Sequence, residues 1–357
     1  MKIKLKKIFK IIILLLLFIL VAFGIYALYM ILSYSRLPDN LDLEVKGKVN
    51  EKTIELGHQY SILSYNIGFG AYESDYGFFM DGGTQSRAWS KERLVKNMQS
   101  IGDFVSSQDA DFVLLQEVDV DGTRSYHYNE YDYLSSRMQE YENVFAQNFD
   151  SSYIIFPIYQ PHGSNKGGLV TYSSINISKA TRFSLPIEED LMKFFDLDRC
   201  YMVMRIPTND GKELVLINLH LSAYSSDGSI SDEQLKLIIN YMDEEYKKGN
   251  YVIAGGDLNK DLTGQSANYD KTFTWALPID PKMYEGTSIR QITPTDPTNS
   301  VFSCRNADGP YNPDQFVFTP DGFLVSENVD VISSEVINLS FKNSDHNPIS
   351  MVFCLSY

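Results

Sequence analysis

Apolar and polar residues follow one another along this chain in short stretches, most of which have the period of β-strands. Stretches that alternate, or that are continuously apolar and bounded by turn residues, predict strands. They lie at positions 60–66, 111–117, 153–159, 168–172, 201–207, 213–219, 251–256, 323–325 and 349–354. The sequence Asn-Asp-Gly at 209–211 predicts a hairpin between two of these strands.

Two stretches have the helical period instead. One helix is predicted after Ser90, a suitable N-cap, with apolar positions 94, 98, 101 and 105 on one face. A second is predicted from Ser231, with Gln234 completing a capping box and Gly249 at its end. The Tyr-rich polar segment 119–133 predicts a loop. Mixed strands with few helices predict a two-sheet α/β sandwich.

The longest apolar run lies near the N-terminus. Residues 11–32 are 22 positions without a charge, which as a helix would be about 33 Å long and would cross a bilayer. Lysines within residues 1–10 predict a cytoplasmic N-terminus by the positive-inside rule. The alternative is a cleaved signal peptide with a small-x-small site at Ala22-Phe23-Gly24. In both cases the rest of the chain would lie outside the membrane.

The chain is therefore expected to have four parts. Residues 1–10 form a cytoplasmic basic segment, 11–32 a transmembrane signal anchor, 33–52 a linker or edge segment, and 53–357 one globular domain. An apolar content of 44% and a charged content of 22% fit a domain with a substantial core. We expect a single-pass protein of the cell membrane whose domain is extracellular.

The formal net charge of −15 conceals an asymmetry. Six of the 31 basic residues lie in positions 1–36, which contain no Asp or Glu; the remainder has 25 basic residues against 46 acidic ones, a charge of −21. Long-range attraction of this part to nucleic acid is disfavoured unless cations offset the charge. The three cysteines form no Cys-x-x-Cys pair, so neither a zinc nor a redox motif is predicted.

Polar residues recur where predicted strands end. They are Asn66, Glu117, His220, Asp257 with Asn259, and Asp345 with His346. Each has a simpler interpretation as a turn residue or a hydrogen-bonded core histidine. Glu117 is harder to explain in that way, because a buried carboxylate is costly without a cation or donors. Their repetition predicts one rim at which these side chains converge.

Five motifs in order resemble those of the DNase I-like endonuclease/exonuclease/phosphatase superfamily, over roughly residues 58–357. They are Tyr65-Asn66, Gln116-Glu117, Asn218-Leu219-His220, Gly256-Asp257-Leu258-Asn259 and Ser344-Asp345-His346-Asn347-Pro348. Asp321-Gly322-Phe323 resembles a further Asp-aromatic element, with a glycine where the aromatic residue usually follows. The resemblance implies a four-layer α/β sandwich, two mixed β-sheets packed face to face with helices outside, after one N-terminal transmembrane helix.

The resemblance also implies a metal-dependent phosphoric ester hydrolase in which water attacks phosphorus in line. Asn66, Glu117 and Asp345 would bind Mg²⁺ or Mn²⁺, since oxygen ligands suit a hard cation. Asp257 would orient or activate the attacking water, and Asn259 would stabilise the phosphoryl oxygens.

The histidines would move protons or stabilise charge. By the same resemblance, His346 would be held in its tautomer by Asp321, and His220 would bind the phosphate or protonate the leaving group. Arg124 and His127 are weaker candidates for substrate contacts, because they lie in a loop that would border the site. Arg87, His162 and Lys166 are comparable loop residues that we expect to be surface residues.

Three functions are compatible with this sequence. The first is a monomeric, membrane-anchored extracellular phosphodiesterase or phosphatase that acts on phospholipid head groups or small phosphodiesters. The second is a surface-anchored DNase, which is less favoured because the domain has a strong negative charge. The third is a non-catalytic binding module with the same fold, disfavoured because every residue needed for the chemistry is present.

Overall fold

The structure is a computed structural model that describes residues 2–188, 191–194, 196–223, 229–264, 277–295 and 301–356. Within them the α-helices are α1 Lys2–Ser33, α2 Lys91–Ser107, α3 Glu130–Arg137 and α4 Ser229–Lys247. The strands are β1 Leu41–Leu43, β2 Lys46–Gly47, β3 Tyr60–Asn66, β4 Phe112–Gly122, β5 Glu142–Asp150, β6 Asn165–Ser173, β7 Lys179–Ser184, β8 Cys200–Pro207, β9 Glu213–His220, β10 Tyr251–Asp257, β11 Ile289–Ile292, β12 Cys304–Arg305, β13 Val317–Phe318, β14 Asp321–Ser326, β15 Val329–Val336 and β16 Ile349–Leu355.

Most of these strands form two seven-stranded mixed sheets. The first has the order β1-β7-β8-β9-β10-β14-β11, and the second has the order β15-β16-β3-β4-β6-β5-β2. Each sheet contains one parallel pair, β9 with β10 in the first and β3 with β4 in the second, and its other described pairs are antiparallel. The predicted hairpin at 209–211 joins β8 to β9 and is confirmed.

The main core lies between the two sheets. Alternate residues of β9 face opposite sides, as the pleat requires. Leu214 and Leu216 belong to the layer between the sheets, whereas Val215 and Ile217 belong to the layer beneath α4. The layer between the sheets also contains Ile62, Phe112, Leu114, Met202, Ile253, Phe323, Met351 and Phe353. Because β9 is buried on both faces, its sequence is continuously apolar rather than alternating.

Helices cover the outer faces of both sheets. α4 packs on the first sheet through Leu235, Ile238, Ile239 and Met242, and α2 and α3 pack on the second through Met98, Ile101, Val105 and Leu134. Ser90 caps α2 as predicted, because its side chain accepts a hydrogen bond from the Arg93 amide. The four layers are therefore helix, sheet, sheet and helix, which confirms the predicted fold.

One polar contact joins the two sheets inside this core. Gln116 of β4 donates from Nε2 to Asn218 Oδ1 of β9 at 2.8 Å. The Asn218 amide donates to the carbonyl oxygens of Leu115 and Val170, at 3.2 and 2.9 Å. Both side chains are fully buried, so their polar atoms need partners within the protein, and each supplies one to the other. The contact lies one residue from Glu117 and two from His220 and fixes the sheets relative to each other at that point.

α1 is the N-terminal apolar helix. By length and composition, Leu5–Ser33 is able to cross a membrane, as an anchor or as a signal sequence would. The following segment, expected to be a linker or an edge segment, contains β1 and β2. These two short strands form the edges of the first and second sheets respectively.

Some local predictions are wrong. Residues 153–159 are not a strand; they belong to the connection between β5 and β6, where Ile154 pairs with Gly163 as an isolated bridge. Pro157 has no N–H to donate to a ladder, and the large apolar residues around it are exposed. The predicted loop 119–133 is also shorter than expected, because β4 continues to Gly122 and α3 begins at Glu130.

The predicted capping box of the second helix is also wrong. α4 begins at Ser229, two residues before Ser231. The Gln234 side chain instead accepts from the Ser222 amide at 2.9 Å and donates to the Pro186 carbonyl oxygen at 2.7 Å. It therefore ties α4 to the segment after β9 rather than to its own N-terminus.

Candidate active site

Three neighbouring strands of the first sheet bring His220, Asp257 and Asp321 side by side. Parallel β9 and β10 pair His220 with Asp257, and antiparallel β14 pairs Asp321 with Asp257. Because β14 runs in the opposite direction, its first residue lies at the edge where β9 and β10 end. Gly256 has a φ of +145°, and a Cβ there would overlap the Leu219 carbonyl group, so this strand end requires glycine.

The second sheet contributes Asn66 and Glu117. Parallel β3 and β4 pair Asn66 with Gln116. Glu117 has a φ of +55° and lies in a bulge, where the pairing of β4 with β6 shifts between Leu115 and Val118. The prediction that this strand ends at Glu117 is wrong, since β4 continues beyond it. The carboxylate faces the cleft because a bulge redirects a side chain without ending the strand.

Asp345 and His346 come before a strand, not after one as predicted. They immediately precede β16, which runs antiparallel to β3, so the start of β16 reaches the edge where β3 ends. Ser344 Oγ donates to the Asn66 carbonyl oxygen at 2.8 Å, and the His346 amide donates to Ser344 Oγ at 3.2 Å. These bonds fix the Asp345–His346 pair beside Asn66.

Asn66 links the acidic residues of the two sheets. Its Nδ2 donates to Glu117 Oε1 at 3.1 Å and to Asp257 Oδ2 at 3.0 Å, and its Oδ1 accepts from the Gly68 amide at 3.0 Å. The Asn259 amide donates to the other Asp257 oxygen, Oδ1, at 2.9 Å, while the Asn259 side chain donates to the Leu221 carbonyl oxygen at 2.8 Å. Asp257 is thus held at both oxygens.

Two buried histidines lie at similar distances from this carboxylate but differ in protonation. Nε2 of His220 lies 3.5 Å from Asp257 Oδ2, and Nε2 of His346 lies 3.6 Å from the same atom. Burial lowers the pKa of His220 well below its usual value, and the charges of Arg199 and His346 lower it further. Burial also acts to lower the pKa of His346, but Asp321 and other groups outweigh it and raise that pKa well above the usual value. At neutral pH, His220 is therefore neutral and His346 is a cation.

Asp321 is the orienting partner of His346. Its Oδ2 lies 2.8 Å from His346 Nδ1 and accepts from Ser303 Oγ at 2.7 Å. The glycine that follows Asp321 does not disturb this contact. A Cβ on Gly322 would overlap the side chain of Leu262, so leucine occupies the space into which a larger side chain would project.

The cleft contains acidic and histidine groups that could hold a metal ion. Ligand atoms of Asp257, Asp321 and His346 lie within 4.8 Å of one another, as do those of Cys304, Asp345 and His346. A thiolate site is unfavourable, because burial raises the pKa of the Cys304 thiol to about 12. Oxygen ligation of a hard cation fits the donor set better.

Glu117 and Asp345 are the two carboxylates predicted to bind such a cation, and of these only Asp345 belongs to one of the two groups. Burial raises the pKa of both, and the charge of Asp345 raises the pKa of Glu117 further. A divalent cation between them would offset this repulsion and desolvation. In the structure the NH₂ group of Asn66 faces Glu117. A direct bond from Asn66 to a metal would require its amide to rotate.

An open cleft is lined by cationic side chains that the sequence did not reveal, together with Glu117, His220, Asp257, Asn259, Asp345 and His346. Arg199 and Arg305 are both 1% exposed. Arg199 donates from Nη2 to Asp196 at 3.1 Å, while its Nε and Nη1 have no hydrogen-bond partner among the described residues. Arg199 immediately precedes β8, whose start meets the end of antiparallel β9. The sequence signal that could have identified Arg199 is its position directly before an apolar strand.

Arg305 is held more completely than Arg199. Its two Nη atoms donate to the carbonyl oxygens of Glu73, Tyr76, Asn306 and Gly309, at 3.1 to 3.2 Å. His162 also lines the cleft and is buried, contrary to the expectation of a surface residue. Burial and the charge of Arg124 lower the pKa of His162 to about 3, so it is neutral, and its Nδ1 lies 2.8 Å from the Ser86 carbonyl oxygen.

Of the two weaker substrate candidates, only one lies at the cleft. Arg124 lines it, makes two hydrogen bonds to Asp119 at 3.0 and 2.8 Å, and stacks 3.9 Å above the Phe69 ring. His127 is exposed, pairs with Asp121 at 2.5 Å and is not among the residues that line the cleft. The remaining predicted residues, Asn66 and Asp321, are not among the lining residues; Asn66 contacts Glu117 and Asp257, and Asp321 contacts His346.

The model of the Endonuclease/Exonuclease/phosphatase family matches residues 63–346, and the chain belongs to that family, whose members are phosphoester hydrolases. No curated protein sequence matches this chain.

Solved structures share the fold at low sequence identity. An endonuclease/exonuclease/phosphatase from Beutenbergia cavernae DSM 12333 is 17% identical, with a TM-score of 0.59 over 84% of this chain and 72% of that one. A protein of the same description from Bacteroides vulgatus is 15% identical, with a TM-score of 0.53 over 84% and 100%. ANGEL2, a 2′,3′-cyclic phosphatase in complex with adenosine-2′,3′-vanadate, is 14% identical, with a TM-score of 0.55 over 88% and 99%.

Proposed function

We propose that this protein is a Mg²⁺- or Mn²⁺-dependent phosphodiesterase or phosphatase that acts outside the membrane crossed by α1. The observation that carries the proposal is the environment of Asp257. A neutral histidine and a cationic histidine face one of its oxygens, with the Glu117 carboxylate nearby. Groups of opposite protonation around one carboxylate are suited to hydrolysis by an activated water.

The anionic part of the substrate would be bound by the cationic side of the cleft. Two buried guanidinium nitrogens of Arg199 have no hydrogen-bond partner among the described residues, and phosphoryl oxygens are acceptors that match this geometry. Cationic His346 and the Asn259 side-chain carboxamide lie at the same cleft and would stabilise charge that develops on those oxygens. The fold shared with ANGEL2 is consistent with a phosphate ester as substrate.

Water activation would fall to Asp257. The amides of Asn66 and Asn259 hold its two oxygens, so the carboxylate has a fixed orientation toward the cleft. Asp257 would accept the proton of the attacking water. His346, kept in position by Asp321, would stabilise the charge of the transition state, and neutral His220 would donate a hydrogen bond from Nε2.

Glu117 and Asp345 would hold the metal ion, with Asn66 as a third ligand if its amide rotates. A bound divalent cation would supply charge neutralisation at the phosphoryl oxygens and lower the pKa of bound water. The chain's own contribution is to present two buried carboxylates, whose pKa values burial raises.

Membrane-associated phosphodiesters are the favoured substrates. α1 would keep the domain at the bilayer surface, where phospholipid head groups are abundant. The charge of −21 on the rest of the chain opposes long-range capture of duplex DNA. A lipid head group or a small phosphodiester is therefore proposed ahead of DNA.

A substrate panel on the purified full-length protein tests the proposal. Bis(p-nitrophenyl) phosphate, sphingomyelin and phosphatidylcholine vesicles, inositol phosphates and a plasmid would each be incubated with Mg²⁺ or Mn²⁺, with Asp257→Asn as the matched control. Hydrolysis by the wild type that the variant lacks would support the proposal. Equal release by both proteins, or none from any phosphoester, would contradict it, and plasmid nicking without head-group release would favour the DNase alternative.

Orientation requires a separate experiment. Protease added to intact cells should release the domain if the N-terminal lysines stay in the cytoplasm and α1 spans the membrane. Protection of the domain until the membrane is broken would show that the domain lies on the other side.

A further inference from the structure

The connection between β5 and β6 carries an exposed apolar surface. Its residues Tyr153, Ile155, Phe156, Ile158 and Tyr159 are 41%, 46%, 59%, 84% and 73% exposed. We name residues 153–159 the apolar loop. Single exposed apolar residues are common, but five large ones within seven positions form a contiguous patch of the kind that marks an interaction surface.

The apolar loop is hydrogen-bonded to the C-terminal part of α1. The Tyr26 hydroxyl donates to the Tyr153 carbonyl oxygen at 3.1 Å and accepts from the Ile155 amide at 3.3 Å. The Tyr29 hydroxyl accepts from the Tyr153 amide at 3.0 Å. Ser33 Oγ lies 2.6 Å from Ser152 Oγ. These contacts place the loop alongside the last two turns of the helix.

That position is at the outer surface of a bilayer if α1 spans it. The apolar run begins at residue 11, and a hydrocarbon core of about 30 Å is crossed by about 20 residues, which places its outer boundary near residue 30. Tyr26 would then lie about 6 Å inside that boundary. The two tyrosines would occupy the interfacial level at which aromatic residues are enriched, and the loop bound to them would lie at the same depth.

The backbone of the loop is suited to that depth. Irregular backbone is tolerated at membrane level when its polar groups are bonded within the protein. The Tyr153 amide and carbonyl and the Ile155 amide bond to the two helix tyrosines, and the Ile154 amide and carbonyl bond to Gly163. The exposed side chains therefore reach outward from a loop whose first residues, 153–155, are bonded through their backbone to the rest of the protein.

The apolar loop also borders the active-site cleft. The Phe156 ring lies 5.8 Å from Phe79, and Phe79 lies 5.8 Å from His162, which lines the cleft. On a second side, Tyr34 packs on Phe194 at 5.3 Å, next to the cleft-lining segment Asp196–Leu197. The exit of α1 is thus in contact with two parts of the cleft border.

We propose that the apolar loop inserts into the outer leaflet of the bilayer that α1 crosses and holds the cleft against phospholipid head groups. The substrate class that follows is a phosphoester in a membrane lipid. This second statement rests on the proposed hydrolase function, whereas insertion of the loop does not.

Insertion can be measured without activity. In full-length protein carrying Cys354→Ser, Ile158→Cys would be labelled with an environment-sensitive fluorophore and reconstituted into phosphatidylcholine nanodiscs with doxyl-labelled lipids. The other two cysteines are buried. Ile332→Cys is the matched control, because Ile332 is 50% exposed on β15, at the edge of the second sheet opposite β5. Several-fold stronger quenching at 158 than at 332 is expected, and equal quenching would overturn the proposal.

The substrate class is tested by removing the apolar surface. The triple variant Ile155→Ser, Phe156→Ser, Ile158→Ser should hydrolyse vesicle phospholipid several-fold more slowly than the Ile332→Ser control and hydrolyse bis(p-nitrophenyl) phosphate at the same rate. Strong quenching at 158 with soluble-diester hydrolysis but no lipid hydrolysis would overturn the lipid substrate and leave insertion supported. No hydrolysis of any phosphoester would contradict the hydrolase function, and the quenching result would still decide insertion.

Discussion

His220 and His346 direct their Nε2 atoms at the same oxygen of Asp257, from 3.5 and 3.6 Å, yet their pKa values are shifted in opposite directions. The difference arises from their partners. His346 has Asp321 at its Nδ1, whereas the Nδ1 of His220 has no hydrogen-bond partner among the described residues and Arg199 adds a repelling charge. One carboxylate therefore has a hydrogen-bond donor and a fixed cation beside it.

Removing the Asp257 carboxylate or the His346 imidazole should reduce turnover. Asp257→Asn and His346→Gln are each expected to lower kcat by about 10² or more, the usual contribution of general acid–base and electrostatic groups. His127→Gln serves as the control, because that histidine is exposed and lies outside the cleft lining. Steady-state hydrolysis of a soluble diester measures the effect, and near-normal turnover by His346→Gln would rule out the assigned site.

Metal dependence should be complete. Dialysis against excess chelator is expected to abolish hydrolysis, and Mg²⁺ or Mn²⁺ should restore it, because oxygen ligands of this kind favour hard cations. Glu117→Gln should mainly raise the Mg²⁺ concentration needed for half-maximal rate. Full activity after dialysis, or an unchanged Mg²⁺ requirement in the variant, would count against Glu117 as a ligand.

Arg199 should contribute to substrate binding. Arg199→Met is expected to raise KM for a soluble diester about tenfold or more, since a charge-assisted hydrogen bond to a phosphoryl oxygen contributes about 1.5 to 3 kcal/mol. Arg199→Lys retains the charge but loses the planar pair of donors, so its KM should lie between those of the wild type and Arg199→Met. An effect of Arg199→Met on thermal stability alone, with KM unchanged, would assign the side chain a structural role.

The buried contact between the sheets should be important for stability. Asn218→Ala is expected to lower the free energy of unfolding by about 2 kcal/mol or more, because it removes buried hydrogen bonds to Gln116 and to the Val170 carbonyl oxygen. The double variant Asn218→Leu, Gln116→Leu should recover part of that loss. Chemical denaturation of the single and double variants measures the coupling, and strictly additive losses would show that the two side chains act independently.

Acid stability should depend on Glu245. Burial by itself would raise the pKa of Glu245, but hydrogen bonds from Arg205, Lys248 and Asn250 outweigh it and lower that pKa from 4.5 to about 2. A carboxyl group with a lowered pKa stabilises the fold above its unfolded-state pKa and loses this contribution as pH falls toward the folded value.

Glu245→Gln should therefore lower the melting temperature at pH 7, and its difference from the wild type should shrink between about pH 4.5 and pH 2. Glu244→Gln is the matched control, since Glu244 is the exposed neighbour on the same helix. A difference that stays constant across this range would contradict the assignment.

The sequence by itself determined the local elements and the chemical identity of the site. The segment 60–66 and the apolar runs at 213–219 and 251–256 form strands as predicted. Apolar residues on both faces of a strand allow both faces to be buried. The motifs around Asn66, Glu117, His220, Asp257 and His346 predicted the family, since the residue types and their order are properties of the chain alone.

Tertiary structure decided what depends on strand direction and on distant packing. Arg199, Asp321 and His346 precede or begin strands, and they reach the cleft only because β8, β14 and β16 run antiparallel to β9, β10 and β3. Local sequence does not record the direction of a neighbouring strand. The bulge at Glu117 and the apolar loop could not be predicted for the same reason: one depends on pairing with β6, and the other on hydrogen bonds to tyrosines more than 120 positions away.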